Sequence, residues 1–495
     1  MFERERLYIG GQWVESSKDD WIEVIAPSTE QVVGRARAAS AADADTAVSA
    51  ARAALNGEWT ALGLPERMEV INQAADFLEE NGRTITELLA WEMGSPVGSG
   101  PGYLQSPLTR MRKSFPAAAS QVVTCELRRD EEGAAVLQQS PVGVVVAITP
   151  WNTAFGGVIL KTIPALLAGC PVILKPSPLT PLDPFWLADA FESAGLPAGM
   201  FNVLPGGAEV GEALVTHTGV EMVTFTGSST VGARIAALAA LTMKRVVLEC
   251  GGKSAAIVLE DADLEATTRV ISGAAFALSG QYCRALSRVL VPLSRYDEVV
   301  GSLAGAAQDL RVGDPFEEGT RLGPLVSDSQ RARTESFIAL GIKEGAKLVT
   351  GGGRPGHLPT GYYMEPTVFS DVSNEMRIAQ EEIFGPVVGV LPYDDVSDAI
   401  AIANDSSYGL SGAVFTTDPI AGLEIASRIE TGLIGINTQG ARECVPCGGV
   451  KLSGMGDEHG PEGYREFLQS RSVIVPAHVA DQLEADGMPT TWINR

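Results

Sequence analysis

The 495 residues and 52.0 kDa of this chain exceed what one hydrophobic core usually organises, so about two to four domains are expected. With 37 Lys and Arg against 61 Asp and Glu the net charge is −24, the wrong sign for nucleic acid or an anionic membrane surface as a partner, while 45% hydrophobic and 20% charged residues exclude a disordered acidic chain. Six cysteines are too few for a disulfide framework and four histidines too few for several zinc clusters, which points to no metal and to a reducing cytoplasm.

The opening MFERERLYIGG mixes charges of both signs without an apolar run, so it does not read as a secretory signal. A short strand-rich piece gives way to mainly helical composition over roughly residues 42–90. Residues 122–139 are strand-like and stand outside the pattern that follows, as do 470–476; both suit arms that pair with a neighbouring subunit. No residue from 134 to 160 is charged, yet Gln138, Gln139, Ser140, Pro141, Pro150 and Asn152 interrupt the run before it spans a bilayer.

From Pro141 onward, strands are predicted at 142–149, 171–175, 201–204, 221–225 and 244–249, separated by helical segments at 155–167, 182–194, 207–216 and 229–240. Such alternation predicts an α/β fold with a parallel, doubly wound sheet, whose ligands bind where loops leave the carboxyl ends of the strands. A second α/β stretch starts near Lys253 with a strand in SAAIVL and a helix over 263–278, and continues to about residue 450. Two glycine patterns inside these stretches are set aside. Gly351, Gly353 and Gly356 match GxGxxG, but no buried strand precedes them and Pro355, Pro359 and Gly361 forbid the helix such a fingerprint opens. Gly252-Lys253-Ser254 looks like the tail of a phosphate loop, yet the glycine required upstream is Val247. Cys444 and Cys447 form one CxxC without a second pair, which argues against zinc.

The residues with chemistry to offer sit at those strand ends. Cys283, in SGQYCRALSR, is followed by Arg284 and Arg288; positive charge lowers a thiol pKa, so a nucleophile is expected rather than a small buried hydrophobe. Glu249 ends the strand KRVVLE beside Cys250, Gly251 and Gly252, which sets a carboxylate against flexible backbone. Asn152, after Pro150 and Trp151, has an amide that either donates to an oxyanion or satisfies a turn. In FTGSSTVG (225–232) a strand turns through Gly227 and Ser228 into a helix near Ser229, where free N–H groups hold a phosphate or simply receive a cap. Lys175, before Pro176, points a cation at a ribose or phosphate, or at solvent.

Together these pieces resemble the aldehyde dehydrogenase superfamily over nearly the whole chain. The resemblance runs through YIGGQWV (8–14), TPWN (149–152), LKPS (174–177), FTGS (225–228), LECGGKS (248–254), GQYC (280–283), EEIFGPV (381–387) and GGVKLSGMG (448–456). It implies a Rossmann-like cofactor domain from 1–120 and 141–251, an α/β catalytic domain from 252–453, and a β oligomerisation arm with the C-terminal tail from 121–140 and 454–495. It further implies a homodimer or homotetramer. By this resemblance Cys283 attacks the aldehyde, Asn152 and the Cys283 backbone N–H form the oxyanion hole, and Glu249 activates the water that releases the acid. Members that pass the acyl group to coenzyme A commonly lack this glutamate, so the hydrolytic type is implied. The dinucleotide-contacting positions are Thr149, Trp151, Lys175, Ser177, Pro178, Gly227, Ser228, Gly232, Gly251, Glu382 and Phe384, with Glu382 placed on the nicotinamide ribose.

Three departures bear on specificity. Many NAD-preferring members carry a glutamate where this chain has Pro178, so the cofactor is NAD or NADP with a slight lean to NAD. The funnel positions that usually hold aromatic or large aliphatic groups are Thr153, Gly156, Gly157 and Leu160, and the aromatic before the glycine pair is Cys447. Arg284, directly after Cys283, and Arg442, on the loop after Asn437, either serve at the surface or in salt bridges or enter the funnel; in the funnel they would favour a semialdehyde acid held by guanidinium groups, against a bulky neutral aldehyde. Readings from other classes are a cysteine hydrolase, for which His217, His357, His459 and His478 offer no recognisable partner, and a binding protein that keeps the fold without the reaction.

Overall fold

The computed structural model describes residues 1–486, the side chains of 99–101 aside, so residues 487–495 of the expected C-terminal segment lie outside the described residues. Two large sheets and a three-stranded arm position the site. The first sheet runs Gly454–Met455, Arg245–Glu249, Met222–Thr226, Val145–Ile148, Val172–Lys175, Phe201–Val203, Leu7–Ile9, Gln12–Val14. The five strands from Arg245–Glu249 through Phe201–Val203 are parallel to one another, and antiparallel strands close both edges.

The reason is visible residue by residue. Val145 and Ala147 face one core with the helices Ala154–Ala168 and Pro184–Ser193, while Val146 and Ile148 face another with Ala41–Ala54 and Ala208–Thr216. Strands apolar on both faces require such covering, which is why they read as unbroken hydrophobic runs. The second sheet runs Lys347–Thr350, Thr367–Ser370, Val387–Tyr393, Arg288–Pro292, Ala255–Val258, Ser411–Phe415, Leu433–Ile436, parallel except for its first strand. The glycines at 351–356 follow that antiparallel edge strand and lead into no helix.

Two expected elements are shorter than expected, each for a local cause. The strand expected over 142–149 is Val145–Ile148, because Ala134–Pro141 belongs to the arm and Gly143, at φ 127°, turns the chain between the sheets. The helix expected over 263–278 stops at Ala275, since Leu278, Ser279 and Gly280 all take positive φ. In the arm, Leu468–Val475 pairs antiparallel with Ala134–Pro141 along its whole length, and Ala134–Pro141 with Cys125–Arg129. Gly454–Met455, within the segment expected to be arm and tail, instead pairs with Leu248 and Glu249. Among the described residues no helix is long and apolar enough to cross a membrane.

Candidate active site

The kink after Ala275 carries the chain to Cys283. At Gly280, φ is 75° and a Cβ would lie 2.1 Å from the Gly385 carbonyl oxygen, so only glycine makes the turn there. Cys283 then opens into a cleft shared with Trp151, Asn152, Gly227, Gly251 and Glu382. Trp151 and Asn152 follow Val145–Ile148, Gly227 follows Met222–Thr226, and Gly251 follows Arg245–Glu249, so three neighbouring parallel strands deliver their carboxyl ends to one place.

Asn152 is buried, and its amide nitrogen donates to the Gln281 carbonyl at 2.9 Å. One N–H of the amide is thereby used to tie the Cys283 turn to the first sheet, and the second remains available to an oxyanion. Glu249 is buried at the end of its strand, and its Oε1 has no hydrogen-bond partner among the described residues. Burial raises its carboxyl well above the usual range and Glu458 adds to this, while Lys161 and Arg284 oppose it. A carboxylate so destabilised is a strong proton acceptor once ionised.

The thiol of Cys283 departs from the sequence expectation. Burial pushes it up to about 12, and the neighbouring Arg284 only offsets part of that. Arg288 contributes nothing, because its guanidinium is buried in bonds to the Lys253, Ile402 and Ala403 carbonyls at 2.9–3.0 Å. The thiol therefore waits in its protonated form, and the cleft must supply the means to ionise it.

The remaining motif positions divide. Glu382 Oε1 accepts from the Gly252 N–H at 2.9 Å, and a Cβ on Gly251 would approach Glu382 Oε2 to 2.4 Å, so these glycines admit the carboxyl beside Cys283. Burial holds the Glu382 carboxyl up at about 6. Trp151 and Phe384 meet edge to face at 5.4 Å on the cleft wall. The Ser228 hydroxyl caps the helix Ser229–Ala240 at its opening onto the cleft. Lys175 is buried, donates to the Pro176 carbonyl at 3.1 Å, and is lowered to about 8 by burial. The helix start and the aromatic pair around side-chain-free glycines fit a dinucleotide, and Lys175 is an enclosed cation outside the cleft lining. Thr149 and Gly232 are buried away from the cleft lining; Gly232 lets its helix approach Cys250, where a Cβ would come within 2.6 Å of the sulfur. Ser177 is half-buried and Pro178 exposed on the loop after Lys175.

Of the funnel residues, Thr153 lines the cleft with Cys283. Leu160 instead lines a small cavity with Phe115, Glu458 and His459. Arg284 stacks over the Tyr282 ring at 5.2 Å and reaches Cys447 Sγ at 3.8 Å. Arg442 is exposed and makes no ion pair among the described residues.

Several site residues escape a reading of motifs. Lys161, buried in an otherwise apolar helix, pairs with Glu458 at 2.6 Å and donates to Thr224 at 3.1 Å; a lone lysine in such a helix is the signal that was there to find. Arg333 and Gln330 bind the carbonyls of Glu382 and Phe384 at 2.5 and 2.8 Å, fixing the EEIFGPV segment. Ser453, from GGVKLSGMG, donates to the Gly251 carbonyl at 2.7 Å and locks the turn after Glu249. Glu443 lies 2.9 Å from the Arg110 guanidinium and 2.8 Å from the His459 ring, and these two neighbours hold its carboxyl down at about 2 against the effect of burial. No group of three or more His, Cys, Asp or Glu side chains suited to a metal occurs among the described residues.

Comparison with known proteins agrees with this geometry. The chain is 41% identical over 475 residues to a geranial dehydrogenase of Castellaniella defragrans, covering 96% of this chain and 99% of that one. It is 40% identical over 476 residues to a 3-succinoylsemialdehyde-pyridine dehydrogenase of a Pseudomonas species, with the same coverage. A crystal structure of a Mycobacterium tuberculosis aldehyde dehydrogenase complexed with NAD+ superposes with a TM-score of 0.94 at 46% identity, over 96% of this chain and 99% of that one. The model of the aldehyde dehydrogenase family matches residues 13–473, and the chain belongs to that family of aldehyde-oxidising oxidoreductases, with Cys283 and Asn152 in one cleft and Glu249 buried at the end of the adjoining strand.

Proposed function

We propose that the chain oxidises a bulky aldehyde to its carboxylic acid by the hydrolytic route, using NAD or NADP. The observation that carries this reading is the meeting of Cys283, Asn152 and Glu382 at one cleft, with buried Glu249 at the end of the adjoining strand. The Cys283 thiol gives up its proton to solvent and its Sγ attacks the carbonyl carbon, and the free N–H of Asn152 donates to the oxygen on which negative charge gathers. The dinucleotide, when bound, supplies the hydride acceptor. Trp151, Gly227, Ser228, Gly251, Glu382 and Phe384 would hold it over Cys283, with Lys175, Ser177 and Pro178 toward its adenosine end. The acyl group is then carried as a thioester on Cys283, and Glu249 takes a proton from the water that cleaves it. Asn152→Ala is expected to lower kcat by about 10²- to 10³-fold with dinucleotide affinity unchanged, measured by steady-state kinetics and fluorescence titration.

For the substrate, Thr153 lines the cleft with a small side chain, which leaves room for bulk, whereas Gly157 packs against Thr153 and Pro150; relatives named for geranial and a pyridine-bearing semialdehyde accord with a bulky substrate. A semialdehyde acid is the second reading, supported by Arg442, which is exposed and unpaired among the described residues. No carboxylate at Pro178 repels a 2′-phosphate, which supports use of both dinucleotides. A panel of aliphatic, aromatic and carboxylated aldehydes run with each cofactor is expected to show nicotinamide reduction with NAD and NADP, fastest for large neutral aldehydes. Absence of reduction across the panel sinks the activity; a preference of about tenfold or more for carboxylated members, removed by Arg442→Ala, favours the second reading.

Self-association through the arm is supported by Leu468–Val475, which leaves Ile474 80% exposed along a strand edge that has no pairing partner among the described residues. Six free cysteines accord with a reducing cytoplasm.

A further inference from the structure

We propose that Arg284 is a positioning residue for both half-reactions: its guanidinium, fixed between the Tyr282 ring and the Cys447 sulfur, is the permanent positive charge beside which first Cys283 and then Glu249 carries its negative one. The inference rests on the roles given above to those two residues. Three attachments fix Arg284: the ring at 5.2 Å, the Cys447 sulfur at 3.8 Å, and its own carbonyl, which accepts from Gln439 Nε2 at 2.9 Å.

Among the described residues no carboxylate lies within ion-pair distance of it, whereas Lys161 is paired with Glu458 at 2.6 Å and Arg110 with Glu443 at 2.9 Å. Arg288 and Arg333 are committed to backbone carbonyls. Arg284 is thus the uncancelled cation next to the nucleophile. The groups acting on Cys283 are Arg284 in favour of the thiolate and Glu249, Glu382 and Cys447 against it. Those acting on Glu249 are Lys161 and Arg284 in favour of the carboxylate and Glu458 and Asp457 against it. Arg284 is a cation common to both. A guanidinium does not titrate in this range, so its charge is constant through the cycle.

The test reads Cys283 without turnover. Full-length protein is alkylated with iodoacetamide from pH 6.5 to 10 and followed by mass spectrometry; the sulfur–carbon bond forms as iodide leaves, at a rate set by the thiolate. Arg284→Gln is expected to slow alkylation of Cys283 by about tenfold at pH 8 and to move the profile up by about one pH unit, while Arg284→Lys stays within about threefold of the parent. If Arg284→Gln fails to fold, Arg284→Met against Arg284→Lys makes the same comparison of neutral with charged. Superimposable profiles for the parent and a folded neutral variant overturn the proposal. So does a neutral variant that loses only kcat/KM for carboxylated aldehydes, since the guanidinium would then be a substrate ligand. Because alkylation needs no aldehyde, a failed dehydrogenase assay leaves this result standing on its own.

Discussion

With Cys283 replaced by alanine, aldehyde-dependent reduction of NAD or NADP is expected to fall by about 10⁵-fold or more, while the dinucleotide still binds. The other thiols are placed differently. Cys250 borders the same cleft but is buried, with its sulfur packed against Gly232 of the helix that begins at Ser229; Cys170 is fully enclosed; Cys447 is buried behind Arg284; Cys125 lies in an arm strand, and Cys444 is exposed outside the cleft lining. The loss should be in the chemical step alone, because Glu382, Trp151 and Phe384, proposed above to hold the dinucleotide, hang from other segments and keep their own anchors. The measurement pairs nicotinamide absorbance under aldehyde with fluorescence titration of the reduced dinucleotide. Retention of more than about a hundredth of the parent activity, or loss of dinucleotide binding together with turnover, removes Cys283 as the nucleophile.

The pH dependence follows from the same thiol. Since burial raises it, the thiolate fraction climbs with pH throughout the neutral and alkaline range, and single-turnover acylation is expected to climb with it.

How far the sequence reached depends on the range of each interaction. The parallel sheet was legible because its cause is local: residues 145 to 148 alternate between two cores, and the helices that cover them follow within the chain. The positions of Cys283, Asn152 and Glu249 were legible because each stands at a strand end or turn that its own motif creates. The charges around them were not. Lys161 finds Glu458 across 297 positions and Arg110 finds Glu443 across 333, so no window of sequence contains either pair. The Cys283 thiol went the wrong way for the same reason: two arginines follow it in sequence, but one points into backbone carbonyls elsewhere, and enclosure by distant segments outweighs the other. Burial is a property of the fold, and it decided the sign.

Glu249→Gln is expected to convert the enzyme into one that acylates but does not release. Mixing with aldehyde and cofactor should give a burst of one reduced dinucleotide per subunit, then a steady rate lower by about 10²- to 10⁴-fold, with the acyl mass retained on Cys283. In the parent, Glu249 accepts a proton only when ionised, and burial together with Glu458 raises its carboxyl well above the ordinary range. Steady-state turnover should therefore decline as pH falls through a region above that in which exposed glutamates titrate. The same shift predicts a gain in stability. A carboxyl whose folded pKa lies above its unfolded value binds more protons in the native state, so its contribution to stability falls as pH rises from the unfolded value to the folded one. Glutamine removes that unfavourable ionisation, and Oε1 has no partner among the described residues to lose. The variant should accordingly melt above the parent, with a gap wider at pH 8 than at pH 5, and the gap separates the two roles. If the burst is absent and turnover is unchanged, Glu249 is not the base; if the variant melts lower at pH 8, the buried carboxylate is held by interactions stronger than its desolvation, and its raised affinity for a proton is lost as the driving force for hydrolysis.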